Sequence, residues 1–281
     1  MTMEQKDLSL TKSHEIKEKH VQVGAAINFQ EKEVDLDCET HGKIKAKVFY
    51  LNGTWTKPSC KQCQEQKRVK EEALAEVRRK DAEVRAREAR ITSALGRSGI
   101  PTRFKNHSFE TFKPESEDQK KKKQLCADYA KNFSRNFDLG TSMIFCGKTG
   151  TGKTHLACSI ANDTIQQGRT AVFMSVIRAI RQIKDTWSRD SKVKEQEAIN
   201  WFKNPDLLIL DEIGVQFGTE AEKLVLFEIL NNRYEDMKPT ILISNLEPGE
   251  LKDFVGDRVM DRMKENGGRI LRFDWNSNRA T

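Results

Sequence analysis

Apolar residues are unevenly distributed along this chain. Over residues 143–146, 170–174, 207–210 and 240–244 they gather into short, nearly unbroken runs, each too brief for a core helix. Between these runs they return at intervals of three and four, which predicts helices over 155–167, 176–187, 221–234 and 250–264. Strands apolar on both faces and alternating with helices predict an α/β fold, a parallel sheet covered on each side.

The first third of the chain follows another pattern. Residues 43–50 alternate, with Ile44, Ala46, Val48 and Tyr50 in phase. Asn52 and Gly53 then spell a hairpin turn, and Trp55 falls on the return strand, so a small β module is expected. Residues 64–95 lack Gly and Pro and are dominated by Glu, Lys, Arg and Ala, which predicts one long charged helix. Its few apolar points, Leu74, Val77, Val84, Ile91 and Leu95, favour a solvated spacer over a coiled-coil seam. Gly96, Gly99 and Pro101 end it. The arm before residue 30 is left unassigned, although 16–27 could form a short helix. Three parts result: a module over 1–63, a helical linker over 64–95 and an α/β domain over 96–281.

Composition adjusts this picture in two respects. The 281 residues, 37% hydrophobic and 32% charged with a mean hydropathy of -0.70, leave room for one α/β domain, a smaller module and much solvated surface. A net charge of +7 suits an anionic partner without identifying one. The sequence holds neither a run of roughly 18 apolar residues nor an apolar leader, so a cytoplasmic protein without membrane contact is expected. Cys126, Cys146 and Cys158 are scattered, as reduced buried thiols would be.

The candidate chemistry begins where the first parallel strand ends. Gly147, Lys148, Thr149, Gly150, Thr151, Gly152, Lys153 and Thr154 spell G-x-x-x-x-G-K-T between a predicted strand and a predicted helix, the Walker A arrangement. Such a loop turns its backbone N–H groups toward phosphates at the positive end of a helix. Lys153 then faces the β- and γ-phosphates of ATP, and the Thr154 hydroxyl suits Mg²⁺. The strand over 207–210 runs into Asp211 and Glu212, one acid for the Mg²⁺ shell and one to polarise an attacking water. The strand over 240–244 ends at Asn245, which could orient that water or sense the γ-phosphate.

A second constellation lies in the β module. Cys38 and His41 form one close pair and Cys60 and Cys63 another, a spacing typical of structural Zn²⁺ sites, and the turn at Asn52 and Gly53 would bring the pairs together in a zinc-ribbon-like arrangement. A disulfide or a chance cluster is the competing reading. His14 and His20 have no such partners.

These motifs in this order look like the core of AAA+ ATPases. The segments Asp211 to Gln216, Gly256 to Met263 and Phe273 to Arg279, with the entry segments Ser98 to Pro101 and Asn106 to Glu110, resemble the DnaC-type helicase loaders from about residue 96 onward. The resemblance implies an ATP hydrolase that self-associates and loads a DnaB-type replicative helicase on single-stranded DNA. It implies Arg262 as the arginine finger, with Arg258 one turn earlier sharing or replacing it, and Arg279 as a second sensor. It also implies DNA contacts within 176–201, where Arg178, Arg181, Lys184 and Trp187 combine cations with a stacking ring, although a plain amphipathic helix fits that stretch equally. Lys120 to Lys123 read as a solvated helix start. The metal pairs depart from the DnaC pattern; some other loaders grip the helicase through a zinc-binding amino-terminal domain. Two alternatives stay open: a transposition helper of the IstB kind, and an ATP-regulated DNA-binding module with negligible turnover.

Overall fold

The computed structural model describes residues 30–51, 53–214 and 219–277. The chain separates into two compact units, Met1–Lys80 and Asp81–Thr281. In order the elements are β1 (Gln30–Cys38), β2 (Gly42–Leu51), β3 (Thr54–Trp55), α1 (Lys61–Arg97), α2 (Glu117–Lys131), α3 (Phe133–Leu139), β4 (Met143–Gly147), α4 (Lys153–Gln166), β5 (Ala171–Ser175), α5 (Val176–Lys184), α6 (Glu195–Lys203), β6 (Leu207–Ile213), α7 (Glu220–Glu235), β7 (Thr240–Ser244), α8 (Pro248–Val255), α9 (Asp257–Arg262) and β8 (Arg269–Phe273). Among the described residues no helix is long and apolar enough to cross a membrane.

In the first unit β1 and β2 pair antiparallel from Gln30↔Tyr50 to Cys38↔Gly42. The hairpin that matters therefore turns at 39–41, whereas the expected one through residue 52, itself outside the described residues, leads only to the two-residue β3. Strand β1 is hidden in the sequence because only Val34 and Leu36 are apolar. On its other face Glu33, Asp35 and Asp37 stand opposite Lys47, Lys45 and Lys43, and such cross-strand charge pairs stabilise a solvated sheet face. Helix α1 contains the expected charged helix and begins a turn earlier. None of its residues is fully buried, and Lys67–Glu71 and Lys80–Glu76 pair along it at one-turn spacing.

The second unit is built on a parallel sheet of order β5-β6-β7-β4-β8. Alternation within the strands divides the core into two layers. Met143, Phe145, Leu207, Ile209, Ile241 and Ile243 pack toward α2 and α4. Ile144, Cys146, Leu208, Leu210 and Leu242 pack toward α5, α6, α7 and the α8–α9 region. This is why the strands read as unbroken apolar runs. Cys126, Cys146 and Cys158 are free and buried, and burial pushes the Cys146 thiol up to about 11.

Two differences from the sequence reading have local causes. The helix expected over 250–264 breaks at Gly256, whose φ of 86° no α-helix accommodates, giving α8 and α9. Strand β8, at the sheet edge, has its apolar residues interrupted by Arg269 and Arg272 and so lacks the run that marks its neighbours.

One buried cation ties the far end of the sheet together. Arg233 on α7 is completely inaccessible, and its guanidinium donates to the carbonyls of Phe202, Lys203, Pro205 and Pro239 and to the Thr240 hydroxyl, at 2.6 to 3.1 Å. Burial pulls it down to about 9, still charged at neutral pH. Arg233→Met leaves those acceptors without a donor, so a loss of about 3 kcal/mol is expected. Calorimetry should show Tm lower by roughly 10 °C; an unchanged Tm would refute the clamp.

Candidate nucleotide site and candidate metal centre

At the carboxyl edge of the sheet β4 ends in Gly147, whose φ is 112°. A Cβ there would run into the Phe273 carbonyl of β8, which accepts the Lys148 N–H at 2.9 Å. Trp275 closes the loop from outside, its indole N–H donating to the Thr151 carbonyl at 3.1 Å and Lys122 of α2 lying over its ring. Gly152, at φ 91°, starts α4 where a side chain would strike the Phe112 ring. The loop thus enters α4 with its N–H groups at the helix's positive end, as phosphate binding requires.

Lys153 is 5% exposed, and its ammonium donates to the carbonyls of Gly147 and Lys148 at 2.6 Å each. The Thr154 hydroxyl donates to Asp211 Oδ2 at 2.9 Å, and the other oxygen of Asp211 accepts the Glu212 N–H at 2.7 Å. A hydroxyl beside a carboxylate is a hard-oxygen pair that fits Mg²⁺, an ion that keeps one or two protein ligands and takes the rest from phosphates and water. Burial raises the Asp211 carboxyl above its ordinary value and the Glu212 charge adds to this, while Thr154, the Glu212 N–H and Lys153 act against them. A divalent cation at that edge would reverse the shift.

Glu212 sits at φ 65°, left-handed backbone that a non-glycine residue adopts only under constraint. Strand β6 bulges there: Leu210 pairs with Leu242, yet Ile213 pairs with Ser244, so three steps of β6 oppose two of β7. In a regular strand consecutive acids point to opposite faces. Here Asp211, Glu212 and the exposed Asn245 all line one cleft of about 450 Å³ with Lys153 and Thr154.

The other wall of this cleft carries no phosphate-binding motif in the sequence. Arg103, Phe104, His107, Phe112 and Lys113 come from the irregular segment between α1 and α2. His107 and His155 stack with centroids 3.9 Å apart, flanked edge-on by Phe104 and Phe112. Burial lowers both imidazoles, and nearby positive charge adds to it. The Asn162 amide donates to the carbonyls of Phe104, Lys105 and His107 and fixes the segment. The entry segment at 106–110 is its only sequence signal, and that segment names no role for the wall.

The arginines fare differently from one another. Arg262 is half-buried, its guanidinium donating to the Asn231 carbonyl oxygen and lying 4.4 Å from the Tyr234 ring centroid. It lines a separate cavity and not the nucleotide cleft of its own chain. Arg258 is exposed and has no partner among the described residues. The two therefore do not share one environment. Arg279 lies outside the described residues, as do residues 215 and 216 of the acidic-strand motif, His14, His20 and the helix expected over 16–27. On α5, Arg178 and Arg181 are exposed opposite the buried Val176, Ala179, Ile180 and Ile183. Lys184 is paired with Glu222, and Trp187, 47% exposed, donates its indole N–H to Glu195. Lys120 to Lys123 lie in the first turns of α2, where Lys120 and Lys122 pair with Glu117 and Asp118.

In the first unit Cys38 ends β1, His41 is the last residue of the β1–β2 turn, Cys60 precedes α1, and Cys63 lies in its first turn. Their ligand atoms all fall within 4.8 Å of one another. His41 Nδ1 is 3.6, 3.5 and 3.3 Å from the sulfurs of Cys38, Cys60 and Cys63, and the Cys38 and Cys63 sulfurs are 3.5 Å apart. Ligands at ~2.0 Å (N) and ~2.3 Å (S) around a tetrahedral ion stand about 3.5–3.8 Å apart, so the set fits Zn²⁺. His41 draws the Cys38 thiol down to about 6, while the neighbouring sulfurs push Cys63 up to about 11.

A five-stranded parallel sheet with a phosphate loop after one strand, acids at the tip of a second and an asparagine at the tip of a third defines a P-loop ATPase fold of the AAA+ class. The family model for IstB-like ATP binding proteins matches residues 51–264. The replicative helicase loader DnaC of Buchnera aphidicola subsp. Baizongia pistaciae is 37% identical over 216 residues, spanning 77% of this chain and 83% of the relative. The DnaC of Escherichia coli K12 is 34% identical over 194 residues, 69% and 78% of the two chains. The crystal structure of a DnaC helicase loader superposes with a TM-score of 0.55 over 62% of this chain and all of that one, at 22% identity, a likeness of fold. The chain belongs to the IstB/DnaC family of AAA+ ATP-binding proteins.

Proposed function

We propose that this protein is an ATP-driven loader that engages a DnaB-type replicative helicase and delivers it to single-stranded DNA. The observation that carries the reading is the Thr154–Asp211 contact beside Lys153, a hydroxyl–carboxylate pair suited to Mg²⁺ at a phosphate loop, in a chain whose matched relatives include replicative helicase loaders. In this reading Lys153 and the loop N–H groups bind the phosphates of ATP. Thr154 and Asp211 would hold Mg²⁺, which supplies charge neutralisation at the transferring phosphoryl group. Glu212 takes the proton of the attacking water, and Asn245 orients that water.

Arg262 acts as the finger on a neighbouring copy, with Arg258, one turn earlier on α9, sharing or replacing it. Such a role in trans is supported by the position of Arg262 outside its own cleft. Arg279 is the second sensor. DNA contacts fall on the exposed face of α5 and on Trp187. The module of residues 1–63, with Zn²⁺ on Cys38, His41, Cys60 and Cys63, grips the helicase; 64–95 is its helical linker and 96–281 the motor.

Mixing the full chain with a purified DnaB-type helicase should give an ATP-dependent complex that transfers helicase to a single-stranded circle. No complex, with or without ATP, would remove the loader role. Capture of a transposase in its place would favour the IstB-like helper.

A further inference from the structure

Glu212 needs something to hold it in left-handed backbone; Asp211 accepts its N–H at 2.7 Å, and among the described residues Ser244 grips the chain that follows it. Ser244, the last residue of β7, is 1% exposed. Its hydroxyl donates to the Ile213 carbonyl at 2.7 Å and accepts the Leu246 N–H at 3.1 Å. The same hydroxyl thus grips the exit of the β6 bulge and the chain just beyond Asn245. The gap between them is closed: at Gly214, φ 90°, a Cβ would collide with the Leu246 side chain. With the hydroxyl shut away from solvent, the Ile213 carbonyl loses its donor if Ser244 loses its oxygen.

We infer that Ser244 is a positioning residue for ATP hydrolysis, holding the β6 bulge so that Glu212 faces the nucleotide together with Asp211 and in fixed relation to Asn245. The inference deepens the reading of Glu212 as the general base and rests on it. Without the bulge the backbone at Glu212 would relax toward extended φ, and alternation would turn its carboxylate away from the face Asp211 uses. Neither Ser244 nor Ile213 lines the cleft that holds Lys153, Thr154 and the phosphate loop, so this contact touches the nucleotide only through its neighbours, and unchanged nucleotide affinity is the expected signature of a positioning role.

Ser244→Thr and Ser244→Val make the test, since they have nearly equal volume and differ by the hydroxyl alone. Steady-state ATPase with Mg-ATP, nucleotide affinity and Tm are measured on the full chain, with Glu212→Gln as reference. The expected result is that Ser244→Thr keeps kcat within about threefold of the parent, while Ser244→Val lowers kcat at least about tenfold relative to Ser244→Thr at unchanged affinity for Mg-ATP. Equal kcat for the two variants, or loss of affinity in step with turnover, would overturn the positioning role. Should Ser244→Val fail to fold, Ser244→Cys takes its place, a weaker donor of similar size, with kcat expected between parent and Glu212→Gln and parental kcat overturning the inference. If Glu212→Gln itself turns over like the parent, the general-base reading fails, and this is separable from a failure of Ser244.

Discussion

Lys153→Ala is expected to weaken Mg-ATP binding by about 10³-fold in equilibrium titration, whereas Glu212→Gln binds as the parent does and loses about 10²- to 10³-fold in turnover. The two residues face one cleft, but their chemistry separates them. Lys153 is nearly buried, and its ammonium donates to the uncharged carbonyls of Gly147 and Lys148. Phosphate oxygens are far stronger acceptors for it, and charge-assisted bonds of this kind in a partly dry site contribute about 1.5–3 kcal/mol each. Truncation removes them all at once. Glu212 stands at the bulge of β6, away from the phosphate loop in sequence, and in the proposed mechanism it acts on water. Equal affinity in Lys153→Ala would end the nucleotide-site reading and everything built on it. Parental turnover equal to that of both Glu212→Gln and Arg262→Ala would leave a nucleotide-regulated binding module without hydrolysis.

The contrast between what the sequence discloses and what it conceals follows from how each feature is encoded. The phosphate loop is legible because its conformation demands glycine at positions such as Gly147 and Gly152, where any Cβ collides, and because Lys153 and Thr154 follow at fixed spacing. The central strands are legible because helices cover both faces, which forces unbroken apolar runs. The same logic hides β1 and β8. Each has a solvated face or edge, so charged residues interrupt the pattern, and β1 is recognised only when Asp35 and Asp37 are seen opposite Lys45 and Lys43. The second wall of the cleft is concealed for another reason. Phe104, His107 and Phe112 lie on irregular chain without a period, and their meeting with His155 is a tertiary event. Arg233 reads as one more charge on α7 until the carbonyls and hydroxyl around it are found. The bulge at Glu212 leaves no local mark, because two acids after an apolar strand read the same whether or not the backbone turns left-handed between them.

Removal of metal should disturb the structure more than any of these substitutions, and the disturbance should stop at the first unit. Among its described residues only Ala46, Val48 and Cys60 are buried apolar groups, and one of these is a proposed ligand. A hairpin extended by only a two-residue third strand, with so little core, is not stable in water. A structural Zn²⁺ supplies roughly 10–16 kcal/mol to peptides that fold around it, more than this core could provide several times over. Metal analysis of the purified chain should find one equivalent of Zn²⁺, lost in Cys60→Ser. With a strong chelator, amide exchange at Ala46 and Val48 should rise to unfolded rates, while the β4, β6 and β7 amides and the affinity for Mg-ATP stay as they were. The helicase complex should disappear with the hairpin, because in the proposed division of labour the first unit grips and the second hydrolyses ATP. Protected hairpin amides in metal-free protein would mean that the four residues meet without needing an ion. A lost complex with an intact hairpin would move the helicase contact elsewhere on the chain.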